Sequence, residues 1–194
     1  FFVYNKELYQ FLVAAQRNCI KNNCTQIASI ALEIDLLDPL VVIDKLARPN
    51  ELNFYWENKG KKEAIAAIGA LQKLEIAGKD RFIKAEEFIQ NCLNKTIYFG
   101  SDKKAFSGPH FFCGFGFFDE NTKADYPFPA ASVFLPCWQI SVKDECCILV
   151  ANIIINADIN IQRVLQTLWC RIEIIHSLQY YSPNFNGSQP QFSK

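Results

Sequence analysis

Apolar residues recur at helical spacing in three stretches of the chain. In residues 6–21 they fall every three or four positions, which predicts an amphipathic helix with Asn5 as its N-terminal cap. A second helix is predicted after Asp80 and a longer one after Asp158, since Asp is a favoured capping residue. The predicted inward-facing residues are Leu8, Phe11, Leu12, Ala15 and Cys19, then Phe82, Ala85, Ile89, Cys92 and Leu93, and finally Ile161, Val164, Leu165, Leu168, Ile172 and Ile175.

A fourth, shorter helix is predicted within residues 38–47. Asp38 stands directly before Pro39, and this order is typical of a helix start. Asp can cap the first turn, and proline lacks only an N–H that would find no partner there.

Runs rich in β-branched and aromatic residues, separated by turn residues, predict six strands. Residues 58–62 join two of the strands as a hairpin turn, in which Gly60 is free to adopt a positive φ. Residues 143–145 form a second such turn, and Pro136 indicates an edge strand or a bulge. The predicted strands are residues 25–34, 51–57, 63–78, 110–118, 132–142 and 146–156.

Hairpin-paired strands with a few helices predict an α+β fold built on an antiparallel β-sheet with packed helices. We expect residues 1–181 to form one domain. Residues 182–194 are rich in Pro, Gly, Asn and Ser, which is typical of a linker, and we expect that linker to lead to a further, catalytic segment.

Composition narrows the class of protein. Twenty basic residues balance twenty acidic ones, so the totals favour neither nucleic acid nor an anionic membrane as a partner. The longest uncharged run, residues 146–157, is too short to span a bilayer. The eight cysteines are scattered through apolar runs, which indicates reduced thiols and therefore a cytoplasmic protein or one of an organelle stroma.

Side chains that could carry chemistry each have a plainer structural interpretation. Lys59, Lys61 and Lys62 could meet an anionic substrate, but a hairpin tip is normally solvated, so the turn is interpreted as a bend. Glycines at 114 and 116 could belong to a phosphate loop, but no third glycine or helix start follows, which favours a strand or bulge.

The ionisable candidates are equally open to structural explanations. His176 could act as a base, yet no nucleophile accompanies it in the sequence, so a packed or capping role is favoured. Glu33, Asp35 and Asp38 could form a carboxylate cluster for a metal, but Glu33 and Asp35 share one face of a strand, so a solvated strand face explains them as well. Asp119, Glu120 and Asp125 flank a turn, where acidic residues are ordinary. The histidines His110 and His176 and the cysteines show no zinc-ligand spacing.

Three strings together resemble a known family. FYWENKGKKEAIAAIGA (54–70), HFFCGFGFFDENT (110–122) and YPFPAASVFLPCWQI (126–140) are similar, in order and rough spacing, to the amino-terminal portion of isochorismate synthases, which are chorismate-utilising enzymes. LLDPLVVIDKL (36–46) fits the same pattern, and the resemblance covers about residues 26–180. The Leu-Leu-Glu-Ser string with which anthranilate synthases bind tryptophan is absent.

The resemblance implies a fold of two facing antiparallel sheets, with chorismate and Mg²⁺ held in the carboxyl-terminal half. A lysine there activates water, a glutamate protonates the leaving hydroxyl, and acidic residues surround the Mg²⁺. The family's lysine-bearing strand and glutamate-rich metal motifs have no counterpart in this sequence, and Cys137 stands where relatives often carry Arg. We therefore assign no catalytic, cofactor-binding or metal-binding residue.

The expectation is thus the amino-terminal structural portion of an isochorismate synthase-like enzyme, inert by itself, with a carboxyl-terminal catalytic half as its partner. A fragment of this kind should expose apolar surface or form a homodimer. The alternatives are a free-standing, non-catalytic module that binds a ligand or protein, and a component of anthranilate or aminodeoxychorismate synthase, which needs a glutamine amidotransferase.

Overall fold

The computed structural model describes the backbone of residues 2–100, 104–120 and 128–178, with side chains from Lys6 onward. The described helices are α1 (Phe2–Asn22), α2 (Pro39–Leu46), α3 (Arg81–Asn94) and α4 (Ile161–Ser177). The described strands are β1 (Gln26–Ile34), β2 (Asn53–Asn58), β3 (Glu63–Ile76), β4 (Thr96–Gly100), β5 (Phe112–Phe115), β6 (Ala131–Lys143) and β7 (Cys146–Ile155). The predicted linker, residues 182–194, lies outside the described residues.

All seven strands belong to one sheet, in the order β2-β3-β6-β7-β1-β4, with β5 paired to β6 beside this path. Every pairing is antiparallel except that of β1 with β4, which is parallel. The predicted α+β fold with an antiparallel sheet is therefore confirmed. β4 itself was not predicted, because it has five residues and begins two positions after α3 ends.

One face of the sheet is covered by α1, α2 and α4. Their apolar stripes and the facing strand residues form one buried cluster, and each large side chain in it contributes about 1.5–3 kcal/mol relative to exposure. This confirms the inward faces predicted for α1 and α4, with Phe11 and Val164 at the margin of the cluster. Its members include Leu8, Leu12, Ala15, Cys19, Val42, Leu46, Ile140, Leu149, Ala151, Leu165, Leu168, Ile172 and Ile175.

Two smaller apolar clusters involve α3 and residues 104–111. Cys92 and Phe88 of α3 pack with Leu135 of β6, while Phe106 packs against a separate cluster that contains Phe112. Phe82 was predicted to face inward, but 52% of it is exposed, and it stacks on Phe115 instead.

Two helices begin elsewhere than the capping residues predicted. α1 already includes Asn5, and α4 is capped by Asn160, whose Oδ1 accepts from Arg163 N at 2.9 Å. Asp158 instead donates its own backbone N–H to Asn156 Oδ1 at 3.2 Å, in the turn before the helix. Asp80 occupies the predicted cap position without a side-chain bond. Asp38 does cap α2, since its Oδ1 accepts from Leu40 N at 2.9 Å.

The β2–β3 turn has the predicted position but a different geometry. Residues Lys59–Lys61 form a single 3₁₀ turn, and Asn58 Oδ1 accepts from Lys61 N at 3.2 Å. The positive φ predicted for Gly60 occurs at Lys62, where φ is 51°. The Asn58 side chain thus caps the start of the turn, and the residue with left-handed backbone geometry, Lys62, lies at the end of the turn.

Pro136 lies in the centre of the sheet, where it accompanies the bulge that the sequence indicated. The register between β3 and β6 shifts between Ala70 and Gln72, directly beside Pro136. Asn152 Nδ2 donates to the Pro136 carbonyl at 2.9 Å. The strand predicted over 110–118 is shorter than expected, since β5 covers Phe112–Phe115.

We predict that Gly100→Ala will destabilise the protein much more than Gly78→Ala. The two glycines have almost the same φ, 99° and 100°, so the strain of a left-handed alanine, about 1–3 kcal/mol, is common to both. A Cβ at Gly100 would lie 1.9 Å from the Ala31 carbonyl oxygen, whereas a Cβ at Gly78 would meet no atom within 4 Å. Urea unfolding of the two variants measures the difference, and equal losses would contradict this packing of β4 on β1.

Candidate functional site

The basic turn predicted as a bend is the exposed tip of the β2–β3 hairpin. Lys59, Lys61 and Lys62 are all solvent-exposed there. The bend is confirmed, since Lys59–Lys61 form a turn whose lysines point into solvent.

The carboxylates at the end of β1 do not form a shared cluster. Glu33 forms an ion pair with Lys104 at 2.5 Å and accepts a 3.6 Å hydrogen bond from the Cys146 thiol. The neighbouring ammonium holds the pKa of Glu33 below its ordinary value, and the carboxylate raises the pKa of Lys104. Asp38 is occupied in capping α2, and Asp35 is exposed.

Mg²⁺, which the resemblance implies for the family, prefers several oxygen ligands around one point. Within residues 6–100, 104–120 and 128–178, no three His, Cys, Asp or Glu side chains lie close enough to share a metal ion. The described residues therefore form no site in which three such side chains together hold Mg²⁺. Asp119 lies in the loop after β5, where its carbonyl accepts from Gly78 N at 2.6 Å, and Asp125 lies outside the described residues.

The glycines after Phe112 serve the sheet and its loop. Gly114 belongs to β5, and Gly116 N donates to the Ala130 carbonyl at 2.8 Å. A Cβ on Gly116 would meet that same carbonyl oxygen at an ordinary contact distance of 3.5 Å, and a Cβ on Gly114 would meet no atom within 4 Å, so neither position needs glycine to make room for a neighbouring backbone.

The surroundings of His176 and of the cysteines are those of residues that pack within the fold. His176 is half-buried in the last turn of α4. All eight cysteines are free thiols. Burial raises the pKa of Cys147 to about 12 and also raises the pKa of Cys19 and Cys92, so these thiols stay protonated and behave as small apolar side chains.

A buried amide that no sequence pattern singled out holds the segment 104–111 on the sheet. Gln139 of β6 is fully buried, and its Oε1 accepts from His110 N at 3.2 Å while its Nε2 donates to the Phe106 carbonyl at 3.1 Å. The same Nε2 lies 3.0 Å from His110 Nδ1. Phe106 has a φ of 63°, which is rare for an aromatic residue, so Gln139 fixes a strained turn.

A groove of about 510 Å³ opens between the sheet and the first turns of α4. We call it the α4 groove. Its lining combines an aromatic ring and aliphatic side chains with charged and hydroxyl groups, a mixture typical of small-molecule sites. The lining residues include Trp138, Ile153, Asp158, Arg163, Thr167 and Leu168.

Comparison with protein families gives a match over most of the chain. Residues 14–193 match the model of a family described as chorismate binding enzyme. The chain belongs to this family, which confirms the resemblance at the level of chorismate-utilising enzymes. The comparison with curated proteins found no match. No helix in the described part of the chain is long and apolar enough to cross a membrane.

We predict that Gln139→Leu will cost about 1–3 kcal/mol of unfolding free energy. The substitution leaves the N–H of the half-buried His110 without its acceptor and removes one of the two donors to the Phe106 carbonyl, and each such bond contributes about 0.5–1.5 kcal/mol. Ser141→Ala is the control, because Ser141 is equally buried on the same strand but makes one long bond of 3.4 Å. Ser141→Ala should lower the unfolding free energy by less than about 1 kcal/mol. Urea unfolding measures the difference in stability between the two variants, and hydrogen exchange measures the protection of the His110 amide. Rapid exchange of the His110 amide in the native protein would contradict its hydrogen bond to Gln139.

We predict that Lys104→Met will raise the pKa of Glu33 towards its ordinary value. Because the folded-state pKa of Glu33 is lowered, its contribution to stability is present above the unfolded pKa and is lost as pH falls through the folded pKa. The stability gap between wild type and variant should therefore narrow on acidification. Carboxyl ¹³C NMR titration measures the pKa directly. Lys59→Met at the hairpin tip is the control and should leave Glu33 unchanged.

Proposed function

We propose that this chain is the amino-terminal structural portion of an isochorismate synthase-like enzyme. The parent enzyme converts chorismate to isochorismate with Mg²⁺, for menaquinone or phylloquinone biosynthesis or for salicylate and siderophores. Membership of the chorismate binding enzyme family and the three strings at 54–70, 110–122 and 126–140 support this assignment. The catalytic lysine, the glutamate acid and the metal ligands lie on a carboxyl-terminal half, and the described portion is inert alone.

The observation that carries the proposal is that carboxylates of the described strands are engaged in ion pairs within the fold and do not gather into a shared metal cluster. Glu33 pairs with Lys104, and Glu63 pairs with Lys143 at 2.7 Å between the paired strands β3 and β6. The reaction needs a base and an acid on opposite sides of a ring, with a hard cation to neutralise a dianion. Within the described residues, no three His, Cys, Asp or Glu side chains lie close enough to share a metal ion.

An exposed aromatic surface supports a partner half. The start of α3, the end of β5 and the loops beside them carry several exposed rings, which we call the aromatic end. Phe117 is 92% exposed, and the ring centroids of Phe82 and Phe115 are 4.7 Å apart. Exposed apolar groups concentrated in one place mark interaction surfaces. The aromatic end comprises Phe82, Phe115, Phe117, Phe118 and Phe128.

The carboxyl-terminal half of the parent enzyme covers this surface in our proposal, and a homodimer is the competing arrangement. The free thiols support a cytoplasmic or stromal location, because such compartments keep cysteines reduced.

The alternative enzyme assignment is a component of anthranilate or aminodeoxychorismate synthase. Such a component would bind a glutamine amidotransferase, and co-purification with that partner would favour this alternative.

A free-standing ligand-binding module is the second candidate function. The α4 groove favours it, because a concave mixed surface of about 510 Å³ is in the size range of small-molecule sites. Continuation of the reading frame past Lys194 into a lysine-bearing strand would favour the enzyme, and a stop codon there would favour the module.

We predict that the purified 194-residue chain with Mg²⁺ will not consume chorismate above the rate in buffer. The physical reason is that the described residues hold no cluster of three metal-ligating side chains, and in our proposal the base and the acid lie on the carboxyl-terminal half. Chorismate loss is followed by absorbance and chromatography, with a complete isochorismate synthase as the positive control and circular dichroism to verify folding. Turnover by the chain alone would overturn the proposal.

A further inference from the structure

The floor of the α4 groove belongs to the main core. Leu168 is 1% exposed within the cluster that fills the space between the sheet and α4. Trp138 and Ile153 pack against the same cluster from the sheet side and remain half-buried. The groove therefore presents a fixed apolar wall, with the indole ring as its largest surface.

The rim of the groove is held in place before any ligand arrives. Gln16 of α1 donates through Nε2 to the carbonyls of Ala157 and Ile159, at 3.0 and 2.8 Å. In the same turn, Asn156 accepts from the Asp158 N–H, and Asn160 caps α4. The side chains of Gln16, Asn156 and Asn160 thus fix the β7–α4 turn through hydrogen bonds. A turn that is already fixed lowers the entropy cost of binding.

The rim carries two opposite charges that do not pair with each other. Arg163 and Asp158 both line the groove and are both exposed. In the described part of the chain, ion pairs within 4 Å join other residues, and neither of these two takes part in one. The groove therefore offers a guanidinium and a carboxylate at separate points above an apolar wall.

We propose that the α4 groove binds a small zwitterion. The ligand's carboxylate meets Arg163, its ammonium group meets Asp158, and its apolar frame lies on Trp138. A simple anion would be repelled by Asp158 and a simple cation by Arg163, whereas a zwitterion is attracted to both. Guanidinium favours carboxylates through paired hydrogen bonds, which assigns the two ends of the ligand. The site stands apart from the proposed chorismate chemistry and does not depend on it.

Ring compounds matched in size and differing in charge test the proposal on the 194-residue chain. The zwitterions are 4-(aminomethyl)benzoate, whose charges are far apart, and phenylglycine, whose charges share one carbon. Their singly charged counterparts are 4-methylbenzoate and 4-methylbenzylamine, then phenylacetate and benzylamine. Binding is followed by calorimetry and by the indole ¹H–¹⁵N signal of Trp138. At least one zwitterion should bind ten or more times more tightly than both of its counterparts.

Substitutions at the two charges locate the binding. Arg163→Gln should weaken the zwitterion at least tenfold without weakening the amine, and Asp158→Asn should weaken it at least tenfold without weakening the acid. Retained amine or acid binding also shows that each variant keeps a folded groove. Arg17→Gln on α1 and Asp144→Asn in the β6–β7 turn are matched controls that should change no affinity.

Three results would overturn the proposal. These are no binding of either zwitterion up to millimolar concentration, acid or amine binding as tight as that of its zwitterion, or zwitterion affinity that survives both groove substitutions. The chorismate assay is unaffected by any of them, so failure here is distinguishable from failure of the proposed function.

Discussion

A proline in the central strand of the sheet determines much of the architecture. Pro136 has no N–H to give to either neighbour of β6, and the pairing changes on both sides of it. The register with β3 shifts between Ala70 and Gln72, and the pairing with β7 begins only at Trp138. The first part of β6 pairs instead with β5, through Phe112–Phe115. Asn152 bridges the separated strands by donating to the Pro136 carbonyl.

The two surfaces that we associate with function lie on either side of this separation. β5 pairs with the first part of β6, where β7 does not pair with it. The loop that follows β5 carries the exposed rings of Phe117 and Phe118. The α4 groove is lined by Trp138, the first β6 residue paired with β7, and by Ile153, which lies just beyond the part of β7 that pairs with β6. A single interruption in hydrogen bonding thus leaves space for a groove on one side and supports an aromatic surface on the other.

The sequence predicted the elements whose pattern is local and missed those that depend on distant partners. Helical periodicity identified the buried faces of α1 and α4, and turn residues identified both hairpins. β4 was missed because its five residues pair in parallel with β1, some 70 positions earlier in the chain. The cap of α4 was misplaced by two residues, since Asp158 and Asn160 are both good capping residues and only the bond to Arg163 distinguishes them.

The residues that shape the buried clamp around residues 104–111 and the α4 groove could not be predicted from the sequence, for the same reason. Gln139 is one glutamine in a β-rich run, and its importance comes from His110 and Phe106, about 30 residues earlier in the chain. Similarly, Trp138, Asp158 and Arg163 share no sequence motif and meet only because β7 returns beside β6. The resemblance succeeded at family level because it compares whole strings, including positions such as Pro136 whose role is structural. Strings of this kind record the packing of a scaffold, which is why they identify the family without identifying a catalytic residue in this chain.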